Sequence, residues 1–308
     1  MPLYRDKRRK QIKKQISNVM VFLLAFVAFL VVFGGICLWA VVKINEERRS
    51  AESSSSASSS EEMKFEASDA RNLLIVTTDD GKAQGFVAVR ADPAKSRVRA
   101  LAIPRDTVVD YKTSELRLYE LMEKQGITVA RDALAELTGL HFDNYIVITY
   151  KNIEKLIDHF EAGVVMTLTE DLNYHDNNKT IQIDEGLRTL SASQAVNVLR
   201  YPSWQGGRKQ RADIQAQMTA ALINQYMLSS REEQGDRDFS FMVNLASKTD
   251  ILVSHYSGAK AGLAFLAGKN KGDLCEVLSF PGSYQGSGSA IRYYAQDKIK
   301  DFLKSSFE

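Results

Sequence analysis

Val, Ile, Tyr and Thr crowd five short stretches, Asn72–Thr78, Gly85–Arg90, Arg97–Ile103, Asn144–Tyr150 and Val164–Thr169, and that content predicts strands. Within Arg97-Val98-Arg99-Ala100-Leu101-Ala102 basic side chains alternate with small or apolar ones, as in a half-buried strand. Between and after the strands, apolar positions recur at helical spacing. Helices are predicted over Ser114–Lys124, Val129–Thr138 with Gly139 as its stop, Asn152–Phe160 starting on an asparagine cap, Ser191–Leu199 and Arg208–Met227. Further helices are expected within Phe239–Ala267 and Tyr293–Leu303, and Cys275–Phe280 reads as a late strand. Strands and helices mixed in this way predict an α/β fold, a layered α-β-α domain on a mixed sheet.

Ahead of this domain the pattern changes twice. Val19 to Val42 has no charged side chain, long enough for an apolar helix through a bilayer core, which takes roughly 20 residues. Residues 1–17 carry seven Lys or Arg against Asp6 alone, a net of +6 in a chain whose total is +2. The division expected is a basic cytoplasmic tail (1–17), one transmembrane helix (18–42), a serine-rich linker (43–70) and an extracytoplasmic domain (71–308). The positive-inside rule places the tail in the cytoplasm and the remaining ~265 residues outside the cell membrane. A cleaved signal peptide is the competing reading, but no small-x-small cleavage site is evident, and Cys37 follows Ile36 rather than the small residue of a lipoprotein signal. Without its tail the chain is acidic, so no nucleic-acid affinity is implied. Cys275 is alone in the outer part, which excludes an internal disulfide and a cysteine metal site there.

The candidate chemistry lies where strands end and helices begin. After Arg97–Ile103, Pro104 should stop the ladder and set Arg105 and Asp106 side by side at a sheet edge, where ligands collect in open α/β sheets. A surface turn with a local ion pair is the plainer reading. On a helical wheel Arg208, Arg211 and Gln215 share a face with Met218 and Leu222, leaving Lys209, Asp213, Gln217 and Asn224 as the wet face. Arginines on an inward stripe at a helix start need an anion or a carboxylate to receive them. Arg200 is eight residues earlier, so four guanidinium groups can converge, which suits a pyrophosphate better than one carboxylate. His141, His159, His175 and His255 lack metal spacing. Ser203-Trp204-Gln205-Gly206 reads equally as an aromatic-tipped loop over a ligand or a solvent loop, and Tyr284–Ser289 as a flexible glycine-rich segment.

Ile103-Pro104-Arg105-Asp106-Thr107 after a strand, then Leu199-Arg200, Gly207-Arg208 and Arg211, resemble the LytR-CpsA-Psr family of bacterial cell-envelope proteins. Gly126–Tyr150 and Phe280-Pro281-Gly282 are similar to that family's helix-strand unit and closing strand, so the resemblance covers about 71–308. It implies a membrane-anchored phosphotransferase that moves an anionic glycopolymer from a polyprenyl-pyrophosphate carrier to peptidoglycan, with magnesium. Arg105, Arg200 and Arg208 would clamp the pyrophosphate, supported by Arg211. Asp79 would be a magnesium ligand and Asp106 a base or an orienter of arginine. Three positions depart from the pattern: Gly85 stands where a second metal carboxylate is expected, Pro202 for an arginine and Ala212 for a glutamine. Asp80 and Gln215 are the candidate replacements for the carboxylate and the amide. The departures keep open a relative without catalysis that binds polyprenyl phosphate or wall glycan as a sensor or scaffold. Transcriptional attenuation, also attached to the family, is disfavoured as direct DNA binding by the small cytoplasmic part.

Overall fold

Three strands consecutive in the chain are also neighbours in the sheet. They are β1 (Arg71–Asp79), β2 (Lys82–Asp92) and β3 (Arg97–Ile103), in a computed structural model that describes residues 64–176 and 180–308. Asp80 and Gly81, with φ of 49° and 76°, form the two-residue turn between the first two, where positive φ matches the strand twist. A hairpin of β4 (Val108–Tyr111) and β5 (Ser114–Arg117) leads to α1 (Leu118–Gln125) and α2 (Ile127–Thr138). Then follow β6 (Asn144–Thr149), α3 (Tyr150–Phe160), β7 (Val164–Leu168), the hairpin β8 (Leu172–His175) and β9 (Thr180–Ile183), and β10 (Gly186–Leu190). The remaining elements are α4 (Ala192–Arg200), α5 (Gly207–Tyr226), α6 (Gly235–Leu245), β11 (Lys248–Thr249), α7 (Val253–Lys269), β12 (Cys275–Ser279), β13 (Gly282–Gln285), β14 (Arg292–Ala295) and α8 (Ile299–Ser306).

The main sheet runs β11-β6-β1-β2-β3-β12, with β6 parallel to β1, β12 parallel to β3 and the other pairs antiparallel. One face (Leu74, Val76, Phe86, Leu101, Ile103) packs on α1, α2 and α8. On the other, Val87, Val89, Ala100 and Ala102 meet Ala216 and Ala220 of α5 and Leu266 of α7. A second core joins α3, α4, β7 to β10 and α5. The expected mixed α/β sandwich is therefore present. Among the described residues no helix is long and apolar enough to cross a membrane, and the expected span over 18–42 lies outside them.

Several expectations need correcting, and each has a local physical reason. β3 is not half-buried: Ala100 through Ile103 are all inside, because helices cover both sheet faces. Ser114–Arg117 is strand, not helix, since Leu116 pairs with Val109 across the turn at Lys112. The cap of α3 is Thr149, whose Oγ1 accepts from the Asn152 amide at 3.1 Å. Tyr293 belongs to β14, and the helix begins only at Ile299; Tyr284 and Gln285, the first residues of the segment read as flexible, lie in its strand partner β13. The face of α5 expected to be wet is docked instead. Asn224 donates to the Cys275 carbonyl (3.2 Å) and accepts from its amide (2.6 Å), and Ser279 donates to Asp213 (2.6 Å). The helix is thus a packed strut without a solvent stripe, a case that period analysis cannot separate from an amphipathic one.

Candidate functional site

The chain leaves β3 in a turn whose carbonyls, from Pro104 to Thr107, all accept hydrogen bonds. The Thr107 amide and hydroxyl both donate to the Pro104 carbonyl, at 3.0 and 2.6 Å. The carbonyls of Arg105, Asp106 and Thr107 accept from the amides of Tyr119 (3.1 Å), Tyr293 (3.0 Å) and Leu118 (2.8 Å). A turn held this way presents two side chains in fixed directions. Asp106 is 1% exposed and accepts from Arg208 Nη1 at 3.0 Å. Arg105 lies 4.2 Å over the Tyr119 ring and donates to Gln84 Oε1 at 2.9 Å. Burial lowers the Arg105 pKa against the opposing pull of Asp106, and the neighbouring Arg211 charge lowers it further.

Gln84 reaches the same place by a different route. β1 pairs Thr77 with Gly85 but Thr78 with Ala83, so Gln84 is the extra residue of a β-bulge. A bulge re-aims its side chain, and Gln84 Oε1 also accepts from Arg211 Nη2 at 3.0 Å. Two guanidinium groups therefore share one neutral amide oxygen. Among the described residues neither has a carboxylate at ion-pair distance, and Arg211 Nε is buried without a partner. Like charges gathered around a neutral acceptor hold a positive potential ready for an anion.

These groups line a cleft of about 480 Å³, with Arg208, Arg117 and Tyr119 on its walls. Gly85, Pro202 and Ala212, where the resemblance leads one to expect polar side chains, line it too. Gln84, Arg117 and Tyr119 were not among the sequence candidates. Arg117 donates to the Ser289 carbonyl at 2.7 Å and pairs with Glu120. Its only sequence signal is a basic residue two positions before an aromatic one, which is too common to select.

Three candidates, Arg200, Asp79 and Gln215, stand outside the cleft lining. Arg200 at the end of α4 grips Asp79 bidentately, Nε to Oδ2 at 2.8 Å and Nη2 to Oδ1 at 2.6 Å, and those hydrogen bonds raise its pKa. Gln215 is 3% exposed and lies under the cleft floor; it accepts from the Thr77 hydroxyl (3.1 Å) and donates to the Tyr150 hydroxyl (2.8 Å). Trp204 neither tips a loop nor meets solvent. It is 4% exposed, edge-on to Tyr201 at 5.2 Å, with its carbonyl taking the Gly207 amide at 2.8 Å. Gly207, with φ of 65°, then turns the chain into α5.

The donor set does not fit a magnesium ion. Such an ion wants one or two free carboxylates beside substrate phosphates. Both oxygens of Asp79 face a guanidinium, Asp80 sits in the β1–β2 turn, and position 85 has no side chain. Among the described residues no group of three or more His, Cys, Asp or Glu is placed to hold a metal.

A model of the LytR-CpsA-Psr family matches residues 39–299. No curated protein matches the chain. Among solved structures, a protein of Eubacterium siraeum superposes with a TM-score of 0.70 at 17% identity, over 82% of this chain and 98% of that one. TagV of Bacillus subtilis gives 0.65 at 18%, over 77% and 96%. A TagT structure bound to LI-WTA gives 0.62 at 15%, over 80% and 93%. At such identities the likeness is one of fold.

Proposed function

Because the chain belongs to the LytR-CpsA-Psr family, we propose that its cleft takes the pyrophosphate of a polyprenyl-linked anionic glycopolymer and passes the glycopolymer phosphate to peptidoglycan. The observation that carries this reading is the meeting of Arg105 and Arg211 on neutral Gln84 without a carboxylate on either. A pyrophosphate would take the place of that shared amide contact and receive charge-assisted hydrogen bonds from both. Arg208, half-exposed and steered by Asp106, would reach the same anion from the far wall. Support also comes from the TagT neighbour, whose structure was solved with LI-WTA.

In the transfer, an acceptor hydroxyl oxygen attacks the phosphorus nearer the glycopolymer. The bond from that phosphorus to the bridging oxygen breaks, polyprenyl monophosphate leaves, and the hydroxyl proton ends on the leaving phosphate. The guanidinium groups stabilise the charge that builds on the bridging oxygen. Asp106, buried behind Arg208, serves as an orienter of that arginine rather than as the base. The apolar segment 18–42 would hold the domain beside its lipid-linked substrate.

A second reading, a glycopolymer or polyprenyl-phosphate binder without turnover, is favoured by Gly85, Pro202 and Ala212, which leave the cleft wall short of polar groups. Incubating the full-length protein with a polyprenyl-pyrophosphate glycan and a peptidoglycan acceptor separates the two. Release of polyprenyl monophosphate with matching acceptor labelling supports the transferase. Tight binding of the carrier with no release establishes the binder.

A further inference from the structure

We infer that the anion in this cleft is held by guanidinium groups alone, with no bridging divalent cation, and that Gln215 is the side chain that closes the place a second carboxylate would need. The inference rests on the functional reading above and concerns how the same site neutralises charge.

The geometry on the sheet is specific. Side chains alternate along β1, so Thr77 and Asp79 project from the same face, and Gly85 is paired with Thr77. A Cβ built on Gly85 would meet Gln215 Cδ and Cγ at 2.7 Å and Oε1 at 2.9 Å. That amide does not give way easily. Its oxygen is committed to the Thr77 hydroxyl, its nitrogen to the Tyr150 hydroxyl, and Tyr150 in turn donates to the Leu199 carbonyl at 3.2 Å. Displacing it would leave buried polar groups unpaired. The glycine and the glutamine therefore fit one another: the space beside the sheet is filled by a neutral amide rooted in α5.

The carboxylate of Asp79, the magnesium ligand that the resemblance implies, is equally committed. Asp79 spends both oxygens on Arg200, one residue beyond the Leu199 carbonyl that Tyr150 holds. One network thus fixes the Gln215 amide and the α4 terminus that carries Arg200. A cation would have to break a bidentate, charge-assisted pair to gain a single carboxylate ligand. Arg105, Arg211 and Arg208 already supply positive charge at the cleft, so a phosphate gains little from a metal there.

The test is isothermal titration of the full-length protein with inorganic pyrophosphate, in magnesium and in chelator, together with Mn²⁺ binding followed by electron paramagnetic resonance. Affinities for pyrophosphate within about twofold of each other, and a Mn²⁺ spectrum unchanged by the protein, are expected. Binding that weakens about tenfold or more in chelator overturns the inference and leaves the anion-site reading standing. Absence of pyrophosphate binding in both conditions overturns both. The paired variant Gly85→Asp/Gln215→Ala supplies a positive arm, because it adds the carboxylate and removes the amide in its way. It should gain Mn²⁺ binding that the single variant Gly85→Asp lacks, and Mn²⁺ binding by Gly85→Asp alone would show that Gln215 closes nothing.

Discussion

Two arginine arrangements stand within the same end of the molecule and have opposite electrostatic outcomes. Arg200 meets Asp79 in a bidentate pair, and its charge is satisfied inside the protein. Arg105 and Arg211 share the amide oxygen of Gln84 with no carboxylate at ion-pair distance among the described residues, and their charge is left for something outside the protein. Residue type and position near strand ends are shared. What differs is the acceptor: a carboxylate closes the account between the charges, an amide does not. A guanidinium becomes an anion site through what its neighbours fail to neutralise.

The strongest way to break this comparison is to remove the unsatisfied pair. The double variant Arg105→Ala/Arg211→Ala should lose pyrophosphate binding by calorimetry. Each single change should weaken it by about 2 kcal/mol, near thirtyfold, as expected for hydrogen bonds to a charged group. Retained affinity in the double variant would place the anion elsewhere. A smaller change converts one arrangement into the other. Gln84→Glu puts a carboxylate between Arg105 and Arg211 and should cost about tenfold in pyrophosphate affinity while keeping the fold. Asp79→Asn makes the converse change at Arg200. It should lower unfolding stability by about 1 kcal/mol in a denaturant titration and leave pyrophosphate affinity within about twofold, since the pair is partly exposed and outside the cleft.

The smallest effect is expected at Cys275, which serves as the control for all of these. Burial, with Glu276 adding to it, pushes its thiol up to about 12. The sign follows from linkage. The folded state holds the thiol proton more tightly than the unfolded chain, so the stabilisation is complete below the ordinary thiol pKa of 9.0 and is lost as pH rises through about 12. At neutral pH iodoacetamide should leave Cys275 unmodified, by peptide mass mapping, in every cleft variant. Modification in one of them would mean that the substitution opened the core beneath α5 rather than emptied the cleft.

Much of this architecture is legible along the chain, and the failures share a cause. Arg97–Ile103 occupies the expected bounds of β3, and Gly139, with φ of 73°, ends α2 where its missing side chain predicts. Local signals such as caps, stops and β-branched runs need only a few neighbours. The pairing of Arg105 and Asp106 with Arg208 and Arg211 was also approachable, because an arginine stripe at a helix start narrows the choices. Gln84 was not, since a bulge belongs to the register between two strands and has no residue of its own to mark it. The Arg200–Asp79 pair joins positions 121 apart, and nothing in either segment names the other. The docked face of α5 misled for a related reason. Lys209, Asp213, Gln217 and Asn224 look like solvent residues, but Asn224 and Asp213 are tied to the last strand of the sheet.

That last strand has a consequence for the order of events in the life of the molecule. β12 lies beside β3, the Phe280 amide binds the Ala102 carbonyl, Tyr293 holds the Asp106 carbonyl, and Ser289 holds Arg117. The turn bearing Arg105 is synthesised early and Leu118 and Tyr119 fasten it soon after, yet the amide on its Asp106 carbonyl comes from Tyr293, near the end of the sequence. During translation the early strands would wait with one edge open until the carboxyl-terminal segment emerges, a long-range closure of the kind that slows folding. A chain shortened before Phe280 would carry every arginine of the site without the contacts that hold the Asp106 carbonyl and Arg117.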